Sequence, residues 1–427
     1  MLSLLQQKLN ALLLFIQCSL KRPAMLFPAV LFIALIGLAA MLSFSASSEK
    51  INPYLANDLP LPTLPLPYSP DELAYYDSTI TAFLQRHRFN GTVLVARRGM
   101  IIYQDAFGYA DFRDRTPHTP DTPFQLASIS KTFTATAVLM LQEDGLLNID
   151  DPVNKHIPEF PYPHMTIRHL LSHTSGIQNY MWLVERYWKE EQLPTNEDVL
   201  VLFNRYPRPV NFSAGTRFEY SNTGYAFLAL VVERVSGKRF SDFLESRIFV
   251  PLQMTNTFAY NPNEGLGERE HRALGFRPWR RSFIYNGDQA HDGVMGDKGL
   301  YSSVVDLYKW DQAIYSHSLL PRRVWEQAFE PALLQNQRTV NYGQGWRLQT
   351  FLDGRIVHHP GRWGGFRTSF KRFIDNKGTL IMLSNNDRDI TPLVEGMQNI
   401  IFQQEILLFS EKPAEDTLPY EEESDGS

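Results

Sequence analysis

The chain has 427 residues, of which 44% are hydrophobic and 20% are charged, so it can bury a large core and has room for two or three domains. Its formal net charge of −5 gives no electrostatic basis for binding nucleic acid. The single cysteine, Cys18, excludes a disulfide framework and a thiolate metal site, and it lies before the part expected to fold.

The N-terminal region carries a long apolar segment. Residues 25–44 are apolar or small and uncharged, and Lys21 and Arg22 stand just before them. About 20 apolar residues span a bilayer, and upstream cations favour a cytoplasmic N-terminus. We therefore predict a cytoplasmic segment at 1–24 and one transmembrane anchor at 25–44, with the rest of the chain periplasmic or extracellular. Small residues at 43–47 leave cleavage by a signal peptidase as the alternative.

Three further segments follow the predicted anchor. Residues 45–70 contain prolines that favour an extended spacer between the membrane and the folded part: Pro53, Pro60, Pro62, Pro65, Pro67 and Pro70. Residues 71–410 have the composition of a folded domain. Residues 411–427 are acidic and are predicted to be disordered.

The domain begins with a predicted helix at 71–86. Two β-rich runs, 91–96 and 100–104, are joined by a glycine-bearing turn and predict a hairpin. The long region 146–331 has helical periodicity and few strand signals. Strand-like runs return near the end and precede a predicted last helix at 390–409; they cover 345–348, 355–359, 368–370 and 379–383.

The segment 124–133 precedes a long apolar-periodic run, so Ser128 is expected near the start of a helix. Ser128 and Lys131 are three residues apart, which places their side chains on one helix face. A serine hydroxyl needs an adjacent base, and lysine supplies one where burial or a neighbouring cation lowers its pKa. The pair therefore has the outline of a nucleophile and its base, although an N-cap serine with a solvated lysine has the same spacing.

Two other segments carry polar groups suited to similar chemistry. Tyr220 and Asn222 lie just before a strong apolar run, where a phenol can act as a general base and an amide can hold substrate. The alternative for this segment is an ordinary helix-start loop with a capping residue. His359 and Gly361 lie at the end of a predicted strand.

These residues carry a family resemblance. Ser128-x-x-Lys131, Tyr220-x-Asn222 and His359-x-Gly361 resemble, in order and spacing, the motifs of the penicillin-binding and class C β-lactamase-like serine hydrolases. The flanking segments 169–177, 251–254 and 364–366 also look like that family. The resemblance covers about residues 71–409.

The resemblance implies an α+β fold of the β-lactamase/transpeptidase-like type. An antiparallel sheet, built from the early hairpin and the late strands, would be flanked by helices and would carry a largely helical subdomain. The transmembrane helix would precede this domain. The catalytic groups would meet in the cleft between the sheet and the helical subdomain.

The resemblance also implies catalytic roles. Ser128 attacks a carbonyl carbon, and Lys131 and Tyr220 manage its proton. The sequence leaves open which of these two residues is the general base. Neither a metal nor a cofactor is implied, and the pair His169 and His173 is interpreted as structural despite its metal-like spacing.

A second group of residues is implied to bind substrate. Asn222 would hold the substrate or the lysine, and His359 and Gly361 would line the opposite wall of the cleft. The backbone N–H groups of Ser128 and Arg362 would form an oxyanion hole.

The third motif departs from that of many β-lactamases, which have Lys-Thr-Gly or Lys-Ser-Gly there. A neutral His359 binds a carboxylate weakly, and Pro360 offers neither a hydroxyl nor an N–H. We therefore predict poor β-lactam turnover and a preference for an ester or peptide. Arg362 and Arg367 are candidates to restore carboxylate recognition.

The leading functional interpretation is an exported, membrane-anchored serine hydrolase. It would use an acyl-enzyme to act on an ester, a D-amino-acid peptide or a cell-wall-derived substrate. Its expected partners are that small-molecule or peptide substrate and the membrane reached through the N-terminal helix. The alternative is a penicillin-binding sensor or scaffold with little turnover, or a weak β-lactamase.

Overall fold

The computed structural model describes residues 68–265, 271–352 and 354–403. The predicted cytoplasmic segment, the predicted anchor at 25–44, almost all of the proline-rich spacer and the acidic tail lie outside the described residues. Among the described residues, no helix is both long and apolar enough to cross a membrane.

Ten α-helices lie in the described part of the chain. They are α1 (Pro70–Arg86), α2 (Ser130–Glu143), α3 (Ile167–Leu171), α4 (Tyr180–Tyr187), α5 (Asn196–Arg205), α6 (Asn222–Ser236), α7 (Phe240–Leu244), α8 (Val304–Ser316), α9 (Arg322–Ala328) and α10 (Thr391–Ile401). Short 3₁₀ turns occur at Ala127–Ile129, Val153–Lys155 and Pro262–Glu264, and a π-helical turn at Glu245–Phe249.

Strands of two to ten residues alternate with these helices. They are β1 (Gly91–Arg97), β2 (Met100–Phe107), β3 (Tyr109–Asp111), β4 (Thr116–Pro117), β5 (Phe124–Gln125), β6 (Phe258–Ala259), β7 (Phe276–Trp279), β8 (Ser282–Tyr285), β9 (Leu300–Ser302), β10 (Ala332–Leu333), β11 (Thr339–Val340), β12 (Arg347–Phe351), β13 (Gly354–Trp363), β14 (Phe366–Phe373) and β15 (Gly378–Ser384).

Six of the strands form the main antiparallel sheet, in the order β12-β13-β14-β15-β1-β2. The early hairpin and the late strands therefore share one sheet, which β15 completes by pairing with β1. This confirms the sheet that the family resemblance implied.

Both faces of the sheet are covered, as the continuous apolar runs of its central strands require. Leu94 and Ile381 pack on the face that carries the large core of α2, α6 and α8, whereas Val93 and Met382 pack on the opposite face. The second face is covered by α1 and α10. This alternation follows from the two-residue period of side chains along a strand.

The helical region between the early hairpin and the late strands departs from the prediction in one respect. Strands β6, β7, β8 and β9 lie within 146–331, a region expected to have few strands. Each is only two to four residues long, so none shows the sustained alternation by which a strand is recognised in sequence. Helix α6 ends before Gly237, which has a left-handed conformation at φ 68°.

Candidate active site

Ser128 lies in the 3₁₀ turn Ala127–Ile129, directly before α2. The preceding residue, Ala127, has a positive φ of 51°, a backbone conformation that is strained for an L residue with a side chain. The following helix is buried from Ser130 to Leu141. A buried helix thus follows the partly buried serine directly.

Lys131 lies one turn beyond the serine, and its Nζ donates to Ser128 Oγ at 3.1 Å. The same nitrogen donates to the backbone carbonyl oxygen of Asp297 at 2.7 Å. The side chain is fully buried, and this burial lowers the pKa of Lys131 to about 7. The charge of Asp297 opposes the shift in pKa, and that of Arg347 adds to it. Near neutral pH this amine can therefore accept a proton from the serine.

Tyr220 lies across the site from the helix start, just before α6. Lys131 Nζ is 5.0 Å from the centre of its ring. Its buried hydroxyl has no hydrogen-bond partner among the described residues. Burial raises the pKa of Tyr220 above its ordinary value. The phenol is therefore neutral at physiological pH.

His173 supports this tyrosine from behind. The rings of His173 and Tyr220 have centroids 4.2 Å apart, and the Ser221 N–H donates to His173 Nδ1 at 3.2 Å. Because Nδ1 accepts, the ring proton lies on Nε2. Burial and the nearby charge of Lys131 lower the pKa of His173 well below its ordinary value. The sequence interpretation gave this histidine only a structural role, and the structure places it against a site residue.

Asn222 is the first residue of α6, and its side-chain amide donates to Met181 Sδ at 3.8 Å. In the described part of the chain no hydrogen bond joins Asn222 to Lys131. The Asp297 carbonyl occupies the position expected of Asn222 as the partner of the lysine. Substrate binding by this amide stays a prediction.

His359 and Gly361 lie on β13, on the wall facing the serine turn. His359 is 1% exposed, and its Nε2 is 3.2 Å from the hydroxyl of Tyr342. Burial lowers its pKa, so the imidazole is neutral. A Cβ on Gly361 would stand 2.3 Å from the Leu126 carbonyl oxygen and 2.1 Å from Thr368 Oγ1. Only glycine lets β13 approach the serine turn this closely.

The three arginines near this wall have different partners. Arg362 and Arg367 both donate to the Asp387 carboxylate, at 3.3 Å and 2.8 Å from their Nε atoms. Arg347, on β12, lies with its guanidinium carbon 5.2 Å from the centre of the Tyr220 ring. Its Nε is buried without a hydrogen-bond partner, and the described residues supply it no ion pair. No sequence motif includes Arg347, although its guanidinium, like the Lys131 amine, lies beside Tyr220.

A buried network holds Asp297 in place. Lys298 Nζ donates to the hydroxyl of Tyr180 at 2.7 Å, and that hydroxyl donates to the Asp297 carboxylate at 3.3 Å. Lys298 also forms an ion pair with Asp297 at 3.4 Å, and both side chains are almost completely buried. These groups come from α4 and from the loop before β9, which lie far apart in the sequence.

The site opens into a cavity of about 470 Å³ between β13, β14 and the start of α10. The lining of this cavity includes Ser128, Tyr220 and, from α10, Gln398. No group of three or more histidine, cysteine, aspartate or glutamate side chains suited to a metal ion occurs in the part of the chain that the structure describes.

The sequence profile of the family described as Beta-lactamase matches residues 76–403, which include every group described above. The chain belongs to this family. Penicillin-binding protein 4* of Bacillus subtilis (strain 168), a curated relative, is 37% identical over 333 residues. The match covers 75% of this chain and 74% of that protein. By this membership the chain is a serine hydrolase of the β-lactamase and penicillin-binding protein family.

Two solved structures show the same β-lactamase/transpeptidase-like fold. FmtA from Staphylococcus aureus superposes with a TM-score of 0.67 at 21% identity, covering 79% of this chain and 88% of FmtA. The D-amino acid amidase from Ochrobactrum anthropi SV3, complexed with L-phenylalanine amide, superposes with a TM-score of 0.64 at 22% identity, covering 80% and 100%. At these identities the two comparisons support the fold alone.

Proposed function

We propose that this serine hydrolase works through an acyl-enzyme on Ser128, with neutral Lys131 as the base. The observation that carries the proposal is the 3.1 Å contact between Lys131 Nζ and Ser128 Oγ in a site that lowers the pKa of Lys131 to about 7. Lys131 takes the serine proton as Oγ bonds to the carbonyl carbon. The bond from this carbon to the leaving group then breaks, and the leaving group takes a proton. Water releases the acyl group by the reverse sequence.

The negative oxygen that forms during acylation needs hydrogen-bond donors. We assign this role to the backbone N–H groups of Ser128 and Arg362, because Gly361 brings this part of β13 against the serine turn. Removing one such donor typically costs about 10²- to 10³-fold in rate. Tyr220 then lies where its neutral hydroxyl can pass a proton to the leaving group.

The substrate we propose is an ester, a D-amino-acid peptide or a cell-wall-derived fragment that carries a carboxylate near the reacting bond. Arg347 supports this choice, because its guanidinium lies beside Tyr220 and has no carboxylate partner among the described residues. Arg362 and Arg367 are already engaged by Asp387. Poor β-lactam turnover stays the prediction, since His359 and Pro360 replace the lysine and hydroxyl of the usual third motif.

Membrane anchoring is part of the same proposal. The uncharged run 25–44 and the cations Lys21 and Arg22 support a single-pass anchor, with the hydrolase domain outside the cytoplasm. Fractionation of cells that express the full chain, followed by protease treatment of intact cells or spheroplasts, tests this placement. Protection of the domain from external protease in spheroplasts would contradict it.

Intact-mass spectrometry of the full chain tests the chemistry. The protein in detergent is mixed with a penicillin or with a small activated ester and sampled over time, with Ser128→Ala as the control. Rapid ester turnover without a lasting penicillin adduct supports the hydrolase. The relative named penicillin-binding protein 4* motivates the second candidate, a sensor, which a lasting penicillin adduct on Ser128 with little turnover would support. Modification or turnover that persists in Ser128→Ala would contradict both.

A further inference from the structure

Three polar side chains form a row across the edge of the main sheet. Arg347 on β12 pairs with His358 on β13, and His358 pairs with Lys371 on β14. Residues paired in an antiparallel sheet project from the same face. Arg347, His358 and Lys371 all line the cavity that contains Ser128.

Lys371 is a buried cation without a matching anion among the residues that the structure describes. It is 8% exposed, and its Nζ donates to the amide oxygen of Gln398 at 2.9 Å and, more distantly, to that of Gln349 at 3.5 Å. The described residues place no carboxylate within 4 Å of it. Burial lowers the pKa of Lys371, and the charge of Glu395, whose side chain is exposed, opposes this shift.

The next residue on the strand provides a comparison. Arg372 points to the opposite face, is 1% exposed, and pairs with the buried Asp311 carboxylate at 2.5 Å. Burying a cation is costly unless an anion compensates it. Arg372, which faces the core, has an anionic partner, whereas Lys371, which lines the cavity, has none in the described part of the chain.

His358 completes the arrangement. No hydrogen bond joins either of its ring nitrogens to another described residue. Burial and the charges of Lys371 and Arg347 lower its pKa to about 3, so the ring is neutral and carries one N–H donor. This neutral N–H lies between two cations, so it can donate a hydrogen bond to a bound anion without adding further charge to the site.

We propose that His358, Lys371 and Gln398 form a subsite for a second anionic group of the substrate, beyond the carboxylate assigned to Arg347. This inference rests on the proposed function and narrows its substrate class to acyl compounds with two acidic groups. Neighbouring strands are about 4.8 Å apart, so backbone positions on β12 and β14 are about 10 Å apart. The second anionic group of the substrate is therefore bound apart from the carboxylate assigned to Arg347. Either a carboxylate or a phosphate suits this chemistry.

A series of matched esters tests the proposal on the full chain in detergent. All esters carry the same D-alanyl acyl group. Their leaving groups carry no charge, one carboxylate, two carboxylates, or one carboxylate and one phosphate. For the wild type we expect kcat/KM to rise about tenfold from the ester with one acidic group to those with two. The phosphate ester distinguishes recognition of charge from recognition of a carboxylate.

Lys371→Met is expected to abolish the gain from the second acidic group, measured as the ratio of kcat/KM between esters with two acidic groups and one. Lys377→Met is the matched control, because Lys377 is exposed in the turn between β14 and β15 and should keep the wild-type ratio. The wild-type series remains decisive even if Lys371→Met does not fold.

Equal kcat/KM for one and two acidic groups in the wild type would overturn the subsite and leave the proposed function standing. An unchanged ratio in Lys371→Met would also overturn it. Failure to hydrolyse every ester, with no acyl adduct on Ser128, would overturn the proposed function together with the subsite.

Discussion

Lys131 and Asp297 are joined by a hydrogen bond of 2.7 Å between the lysine Nζ and the aspartate backbone carbonyl oxygen. The carbonyl aims the amine at Ser128, and the Asp297 side chain is in turn fixed by Tyr180 and Lys298. The position of the proposed base is therefore set by a buried ion pair that does not itself contact the serine.

The first prediction concerns the contacts of Tyr180 and Lys298 that hold Asp297 in place. Tyr180→Phe removes the hydroxyl that links Lys298 to Asp297 and should loosen the carbonyl that holds Lys131. We expect acylation of Ser128 to slow about 5- to 10-fold, the size expected for loss of roughly one hydrogen bond. The measurement is the single-turnover acylation rate with an activated ester.

Tyr162→Phe is the matched control, because its hydroxyl also donates one hydrogen bond, to the Arg208 carbonyl oxygen, in the helical subdomain. Equal acylation rates in the two variants, at similar melting temperatures, would mean that Tyr180 does not position the base.

The second prediction concerns the identity of the base. Burial lowers the pKa of Lys131 to about 7 but raises that of Tyr220 above 10.0, so at neutral pH only the lysine is available in its basic form. The acylation rate with a neutral ester should rise with pH through about 7. Arg347→Met should move this rise to higher pH, because the charge of Arg347 helps to lower the pKa of Lys131.

Arg355→Met provides the control, since Arg355 lies on β13, is exposed and pairs loosely with Asp375 at 3.8 Å. A rate that rises only above pH 10 would identify the Tyr220 phenolate as the base.

The third prediction tests the close approach of β13 to the serine turn. Gly361→Ala places a methyl group on the Leu126 carbonyl and on the hydroxyl of Thr368, which itself donates to that carbonyl at 2.9 Å. The strand must move away, so we expect acylation to fall at least about 100-fold through loss of the oxyanion donors. Stopped-flow acylation and thermal unfolding report the two effects separately.

Gly354→Ala, at the other end of the same strand, is the comparison, because its added methyl group meets one backbone oxygen at 3.2 Å. Retained activity in Gly361→Ala would show that the oxyanion hole does not depend on this contact.

The sequence was informative where the interacting residues are close together in the chain. Ser128 and Lys131 lie on one turn, so their contact followed from spacing, and the apolar strands of the main sheet were visible from their composition. Asp297 lies 166 residues after Lys131, and it contributes a backbone carbonyl, which every residue possesses. No side-chain pattern marks such a contact.

Arg347 illustrates the same limit for a side chain. Its strand was predicted, but only the fold shows that its guanidinium lies beside Tyr220 while Arg362 and Arg367 are paired with Asp387. Which of these arginines is left to bind a substrate depends on which of them already pairs with a carboxylate of the protein, and that carboxylate is distant in sequence. The same applies to Lys371, which, unlike its neighbour Arg372, has no carboxylate partner among the described residues.

The last prediction concerns stability in acid. His118 is buried between Asn90 and Asn385, and burial lowers its pKa to about 4, although the hydrogen bond to the side-chain oxygen of Asn385 opposes this shift. In the unfolded chain a histidine takes up a proton near pH 6.5, whereas the folded chain keeps His118 neutral until about pH 4. The folded state therefore loses stability as pH falls through this window. Between pH 6.5 and 5 this one residue should cost about 2 kcal/mol of the free energy of unfolding.

Urea unfolding at a series of pH values measures this effect as the slope of the unfolding free energy against pH. His118→Asn should flatten the slope between pH 6.5 and 5, whatever its effect on the absolute stability, because the variant has no titrating group at this position. His164→Asn is the control, since His164 is exposed and its replacement should leave the slope unchanged. If the unfolding free energies of the wild type and of His118→Asn depended on pH with the same slope, His118 would take up its proton as readily in the folded state as in the unfolded state. Its burial would then not make the protein acid-sensitive.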